Sequence, residues 1–493
     1  LAPTAPLPPL APLPPMPRLE SMASVLQELD AWLVRREGEP VVVAGDEGGV
    51  YVVRDDGGEP IVVSLADQEG RSVVRISNGT TNLTWSDGNR RLRIRSRGEI
   101  EFSEDGSDVV SISKGGYLEI EEDDGDSERR VKLKGEGGGE VSRKWYVDGD
   151  QLPWDDEAQA WLEKMIPEFA RRTGFAADAR VAQILAQDGV DGVLDEIERI
   201  ESDYVKRVYF RELTSQAEMS AEQLHRVLEH AGREISSDFE LAQLLIEAAR
   251  EGPLDAAGRV AYAEATRSIG SDFEQSRALV ALAKSNDLDE SALAALLDAA
   301  AEIGSDFELA KLLVEVARHH ELSGDAHDAY FDALDSVGSD FEHRKVLASL
   351  LEQRELPAET LAAIVVSARR NIGSDYEMAE LLIEIAHRDE VAGVALVPFI
   401  EALGTIGSDY EFRRVASALV SGTRLEDAAL TEVLLAASRE VGSDYEMAEL
   451  LVEIAREYKL EGESREAYLR ASDTVGSSYE NKRVLAALVE SER

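Results

Sequence analysis

The sequence contains no cysteine. Disulfides, thiolate metal sites and cysteine nucleophiles are thereby excluded. An exported protein that avoids oxidisable thiols fits this, as does a cytoplasmic one. No run of about 18 apolar residues occurs, so no transmembrane helix is expected. Basic residues are scarce: 52 Lys and Arg stand against 98 Asp and Glu, a formal net charge of −46. Such a charge repels nucleic acid and anionic lipid headgroups; a basic protein face or divalent cations are its natural counterparts. The seven histidines (His225, His230, His319, His320, His327, His343, His387) do not form H-E-x-x-H. G-x-S-x-G, P-loop and Rossmann fingerprints are also missing. The stretch "HHELSGDAHD" gathers His319, His320, Asp325, His327 and Asp328. It could hold zinc. The corresponding stretches "KSNDLDES" and "EYKLEGES" carry no such cluster, which favours an exposed polar loop. We therefore expect no catalytic residues, no cofactor and no metal, and a non-enzymatic role.

At 493 residues, more than one domain is expected. Residues 1–19 form the first segment, a Pro-rich arm. Eight of the chain's 15 prolines fall in its first 17 residues. Proline has no N–H to donate, so this arm should be extended polyproline II, either a stiff spacer or a ligand for an aromatic groove. In the second case Pro8, Pro9, Pro14 and Pro15 are candidate partner contacts. An amphipathic helix is expected within residues 20–38, from the spacing of Met22, Val25, Leu26, Leu29, Trp32 and Leu33.

Residues 39–150 change to period two. "PVVVAG", "VYVVRD", "PIVVSL", "SVVRIS", "RLRIRS", "EIEFSE", "YLEIEE" and "RVKLKG" read as short strands of an antiparallel meander, rolled up or sandwiched. "RLRIRS" and "EIEFSE" should pair as a hairpin across "SRG", setting arginines opposite glutamates on a solvated face. Asn78 and Asn82 lie in "NGT" and "NLT", glycosylation acceptors in a cell that uses them.

Residues 151–493 read as helix. A short string recurs there: "ISSDFE", "IGSDFE", "VGSDFE", "IGSDYE", "VGSDYE". Its aspartates (Asp203, Asp238, Asp272, Asp306, Asp340, Asp375, Asp409, Asp444) are 34 or 35 residues apart, and Ser478 follows 34 later. Two helical patterns per period identify an α-solenoid of helix pairs, which in general form resemble HEAT-like repeats. The fold class is thus α+β multidomain: an N-terminal antiparallel β domain, then an α-solenoid.

S-x-x-E is a capping box, in which serine accepts from the N3 N–H and glutamate reaches back to the serine N–H. The pairs are Ser237–Glu240, Ser271–Glu274, Ser305–Glu308, Ser339–Glu342, Ser374–Glu377, Ser408–Glu411 and Ser443–Glu446. The aspartate adds charge at the positive helix end. The glycine before the serine suits a left-handed helix stop. The motif's aromatic ring is expected to pack between repeats. Helices after the motif alternate in charge: Glu247, Glu315, Glu384 and Glu453 on one type, Arg277, Lys345, Arg414 and Arg483 on the other. Ion-pair ladders between them should hold register, or a charge stripe faces a partner. The last copy reads "GSSYE", and the polar "VESER" beyond it reads as a solenoid cap.

The period of 34 invites comparison with tetratricopeptide repeats, but their Trp-Leu-Gly-Tyr pattern is missing. The stretch "RTGFAADARVAQILAQDGVDGVLDEIERIESDYVKRVYFREL", the "GSDYE" repeats and "RLRIRSRGEIEF" resemble an uncharacterised bacterial family. In some of its members a similar β region and solenoid follow a BlaR-like membrane metallopeptidase domain. The peptidase's H-E-x-x-H and membrane helices are absent here, so peptidase activity does not carry over. What the resemblance implies is an exported, sensor-like or interaction module. Our leading expectation is a periplasmic or cell-surface protein, membrane-associated through its protein partners. It would be a scaffold, such as an accessory structural subunit on the periplasmic side of a membrane-embedded complex. The alternative is a free-standing sensor or regulatory module that binds peptide or envelope polymer.

Overall fold

The computed structural model describes residues 51–491, except 55–59, 68–69, 78–79, 88, 104–105, 252–253, 285–287, 354–355 and 389–394. The Pro-rich arm, its four candidate contacts, the amphipathic helix and "PVVVAG" lie outside the described residues. The chain is an antiparallel β domain followed by a repeated helical array. Two compact units emerge: residues up to 219 with 234–240, and residues 220–233 with 241 onward.

In the first unit, nine strands form one antiparallel sheet. In spatial order these are β1 (Tyr51–Arg54), β2 (Pro60–Asp67), β3 (Gly70–Ser77), β4 (Thr80–Ser86), β5 (Arg91–Arg97), β8 (Tyr117–Asp123), β9 (Glu128–Gly137), β10 (Glu140–Val147) and β11 (Asp150–Leu152). β6 (Ile100–Phe102) and β7 (Val109–Ile112) pair as a separate hairpin. The expected pairing of "RLRIRS" with "EIEFSE" is therefore wrong. β5 instead pairs with β4 and β8, with Arg93 opposite Glu121 and Arg95 opposite Glu119. The charge logic holds with a different partner: Arg93 meets Glu121 at 2.7 Å. The sequence period of two could not choose between two glutamate-bearing strands.

Leu92 and Ile94 of β5, Leu118 and Ile120 of β8, and Val131 and Leu133 of β9 are buried, as alternation demands. They share a core with Ala158, Leu162, Met165, Ile166 and Phe169 of helix Asp156–Thr173. That helix starts where Asp155 accepts from the Glu157 and Ala158 N–H groups and ends at Gly174, whose φ is 71°. The expected boundary at 150/151 falls inside β11, a few residues before the helices begin, and this first helix supplies five of the sixteen buried residues of the β domain's core. Gly135 permits a close approach: a Cβ there would lie 2.3 Å from the Ile112 carbonyl oxygen.

In the second unit the helices alternate between two rows. Motif helices Asp272–Ala283, Asp306–His319, Asp340–Leu351, Asp375–Ala386, Asp409–Gly422, Asp444–Glu457 and Ser478–Ser491 each neighbour the next in one layer. Linking helices such as Glu290–Ala300 and Gly324–Leu334 form the other. Leu309, Leu312, Leu313 and Val316 show the three-and-four spacing on the buried face of one motif helix. Tyr262, Tyr330 and Tyr468 of the linking helices are buried, and their hydroxyls donate to the carbonyls of Ala278, Leu313 and Val484 at 3.0–3.1 Å. These bonds tie one row to the other. The tyrosines recur once per pair of repeats, with the buried Phe399 taking the place between Tyr330 and Tyr468, and sequence reasoning missed them.

Candidate interaction surface

The motif's serines cap their helices. In every pair from Ser237–Glu240 to Ser443–Glu446, Ser Oγ accepts the glutamate N–H at 3.4 Å. This is a long bond, so its stabilisation falls below the usual ~1 kcal/mol. The expected return arm of the capping box is replaced. Glu308 and Glu342 pair with Lys311 and Lys345, both at 3.1 Å, and Glu411 with Arg414 at 2.7 Å. Glu377 and Glu446 pair with Arg344 and Arg413 of the preceding motif helix. A nearby cation outcompetes a neutral N–H for a carboxylate.

The aspartate does more than complement the helix dipole. Asp272 accepts the backbone N–H of Gly304, 32 residues on, at 3.1 Å. Asp306, Asp340, Asp375, Asp409 and Asp444 do the same for Gly338, Gly373, Gly407, Gly442 and Gly476, at 2.7–3.2 Å. In the first unit Asp203 accepts from Ser236 and Ser237. Each motif is thus stapled to the next. Ser478 stands where the series would have its next aspartate. The motif glycines are not left-handed, contrary to expectation: none is among the positive-φ residues. They serve as donors with room for a carboxylate, the Asp272 oxygen lying 3.5 Å from where a Gly304 Cβ would be.

The expected packing of the aromatic rings is also wrong. Phe307, Phe341, Tyr376, Tyr410, Tyr445 and Tyr479 are between 51% and 70% exposed. Phe239 and Phe273 are half-buried. The N2 position faces outward at the start of each motif helix, because the buried stripe begins only at the following turn. Basic groups sit between the rings. Lys311 Nζ lies 5.4 Å from the Phe273 centroid and Lys345 Nζ 5.5 Å from Phe307, each reaching back from the next motif helix. Arg344 flanks Phe341 at 5.6 Å, and Arg413 and Arg414 flank Tyr410 at 5.5 and 5.9 Å. The result is a ridge of rings along the layer of motif helices, with cations seated against Phe273, Phe307, Phe341 and Tyr410.

The charge ladder exists with shifted partners. Arg414 and Arg483 bond Glu380 and Glu449 at 2.8 and 2.6 Å, one helical turn before the expected Glu384 and Glu453. Stacked helices in equal register bring together residues one repeat apart, 34 here. Glu384 is instead an exposed residue whose carboxyl is raised above the ordinary range by partial desolvation against the neighbouring helices. Glu453 accepts from Ser417, and Glu315 pairs with Lys284 at 3.3 Å.

The histidine stretch is drawn apart. His320 lies 2.7 Å from the Ala283 carbonyl, while His327 bonds Asp328 at 3.2 Å on the linking helix Gly324–Leu334. Burial lowers the His320 imidazole. In the first unit a cavity of about 190 Å³ is lined by Trp85, Glu168, Arg171, Arg172, Arg199, Glu201 and Ser202. Its charges are mutually engaged: Arg171 chelates the buried Glu196, and Arg172 bonds Glu168 while covering the Trp85 ring at 4.1 Å. Burial raises both carboxyls, but Arg171 and Arg180 hold Glu196, and Arg90 with Arg172 holds Glu168, below the usual carboxylate range. Asn82 is a half-buried residue of β4, and Asn78 lies outside the described residues. No helix among the described residues is long and apolar enough to cross a membrane. No protein-family model matches the chain, and no curated protein matches it.

Proposed function

We propose that the chain is a non-catalytic interaction scaffold whose binding face is the ring-and-cation ridge. The observation that carries this is the exposure of six aromatic rings at one register position of six consecutive motif helices. Aromatic residues are enriched at binding hot spots. The perturbed carboxylates and buried tyrosines belong to structural pairs and packing, which supports a non-catalytic reading. An exported location extends this reading from the sequence resemblance, and we place the scaffold on the periplasmic side or the surface as an accessory subunit of a membrane-embedded complex. Rings also stack on sugars, so a free-standing sensor for envelope polymer or peptide is the second reading.

Gentle detergent extraction from the native host, followed by native purification, separates the two. A scaffold subunit travels in fixed stoichiometry with a membrane complex, and the variant F307S/F341S/Y376S/Y410S leaves that complex while melting like the wild type. A soluble monomer in every fraction sinks the subunit reading.

A further inference from the structure

The Pro-rich segment has a finer order than its composition shows. Pro3, Pro6, Pro9, Pro12 and Pro15 recur every third residue, and Leu7, Leu10, Leu13 and Met16 follow the same period one position later. Polyproline II has three residues per turn and a rise of about 3.1 Å, so each set would line one edge with a repeat of about 9.3 Å. Neighbouring packed helices lie about 8–10 Å apart. One turn of the segment therefore spans one step of the ridge. The period holds five prolines, and the ridge holds six exposed rings.

The chemistry matches as well as the pitch. Proline rings stack on aromatic faces, and a polyproline II backbone leaves its carbonyls without internal donors. The ridge supplies donors between its rings in Lys345, Arg344, Arg413 and Arg414, which ion pairs with glutamates hold in place. Residues 1–17 carry no charged side chain, in a chain of net charge −46. Two such bodies repel at contact. An uncharged segment can lie against the other body without adding to that repulsion.

We propose that the ridge is the docking site for residues 1–17 of a second copy of this chain. This deepens the scaffold reading by naming an occupant for the same ridge. The test uses the full chain, the five-proline variant P3S/P6S/P9S/P12S/P15S and the ring variant F307S/F341S/Y376S/Y410S. A second ring variant, Y410S/Y445S, guards against misfolding of the first, and each is checked by its thermal melt. Sedimentation should show concentration-dependent self-association of the wild type, lost in the proline and ring variants. A fluorescent peptide of residues 1–17 should bind the five-proline variant, as read by anisotropy, with little response to added salt. A scrambled peptide of identical composition should bind at least about tenfold more weakly, the share of one hot-spot aromatic. Equal binding of the scrambled peptide, undiminished binding by a five-proline variant that also carries the ring substitutions, or a wild type monomeric at every concentration overturns the proposal. If the docking fails while the ring variant still loses its membrane complex, the scaffold reading stands and only this occupant falls.

Discussion

Replacing Asp306 with alanine removes the acceptor that joins one motif to the next. Its carboxylate takes the Gly338 N–H at 3.0 Å and sits at the first position of helix Asp306–His319. A hydrogen bond to a charged group is worth about 1.5–3 kcal/mol when shielded. This one is partly exposed, so about 1 kcal/mol is expected. Loss of a negative charge at the helix N-terminus adds roughly 0.5 kcal/mol. D306A should therefore cost about 1.5 kcal/mol, more than S305A, whose 3.4 Å bond is long. D306N keeps an acceptor and should lose about half as much. In a repeat array the damage stays close to the broken interface. Native-state hydrogen exchange reads it directly: the Gly338 amide should lose protection in D306A, while amides of helix Asp444–Glu457 should not. An unchanged Gly338 amide would refute the staple, because no other acceptor of comparable strength has been assigned to that N–H.

The ring variants should be almost silent in stability, within about 0.5 kcal/mol per ring, since more than half of each ring is already in water. Phe399→Ala in the same array should cost about 3–5 kcal/mol because its ring is fully buried; thermal melts compare the two. Gly304→Ala should cost under about 1 kcal/mol by urea titration, as its φ is not left-handed and the added methyl meets only the Asp272 carboxylate at contact distance. Gly135→Ala should be far worse, at least about 2 kcal/mol, because the methyl would strike backbone oxygens of Ile112 and Ser113. His343 is fully buried beside the Val337 carbonyl and Ser367 Oγ, and burial lowers its imidazole from the ordinary 6.5, opposed by Asp335 and Asp340. The unfolded chain then takes up that proton first as pH falls. Stability should drop below about pH 6.5, by up to ~1.4 kcal/mol per unit until the folded value is reached. Urea midpoints of H343Q should lack that component of the pH dependence.

The helical array was legible because its signal repeats. One aspartate every 34 or 35 residues, with serine before it and glutamate after it, marks helix starts that a single copy would only suggest. The sheet was legible as strands and misread in pairing, since β5 and its rejected partner β6 carry the same alternation as its true partner β8. β4, β7, β10 and β11 were not foreseen: β4 has only Leu83 and Trp85 as apolar residues among threonines, serine and asparagine, β7 and β11 are short, and β10 mixes Arg and Lys among its apolar positions. The ridge was half legible. The rings and cations could be named from the sequence, yet their exposure could not, because periodicity gives a residue's angle on the helix and not where the neighbouring helix stops.

Local chemistry is written in the chain itself: where helices begin, which face is apolar, which segment cannot form helix or ladder. These depend on neighbours within a few residues. What each carboxylate bonds was decided only by tertiary structure. Asp306 looks like a helix-dipole charge in sequence and becomes a bridge because folding brings Gly338 within 3.0 Å. Glu308 looks like half of a capping box and turns to Lys311 instead. The aromatic ring looks like packing and stands in solvent, because helices stacked in register meet along their buried stripes and leave the second position of each first turn uncovered.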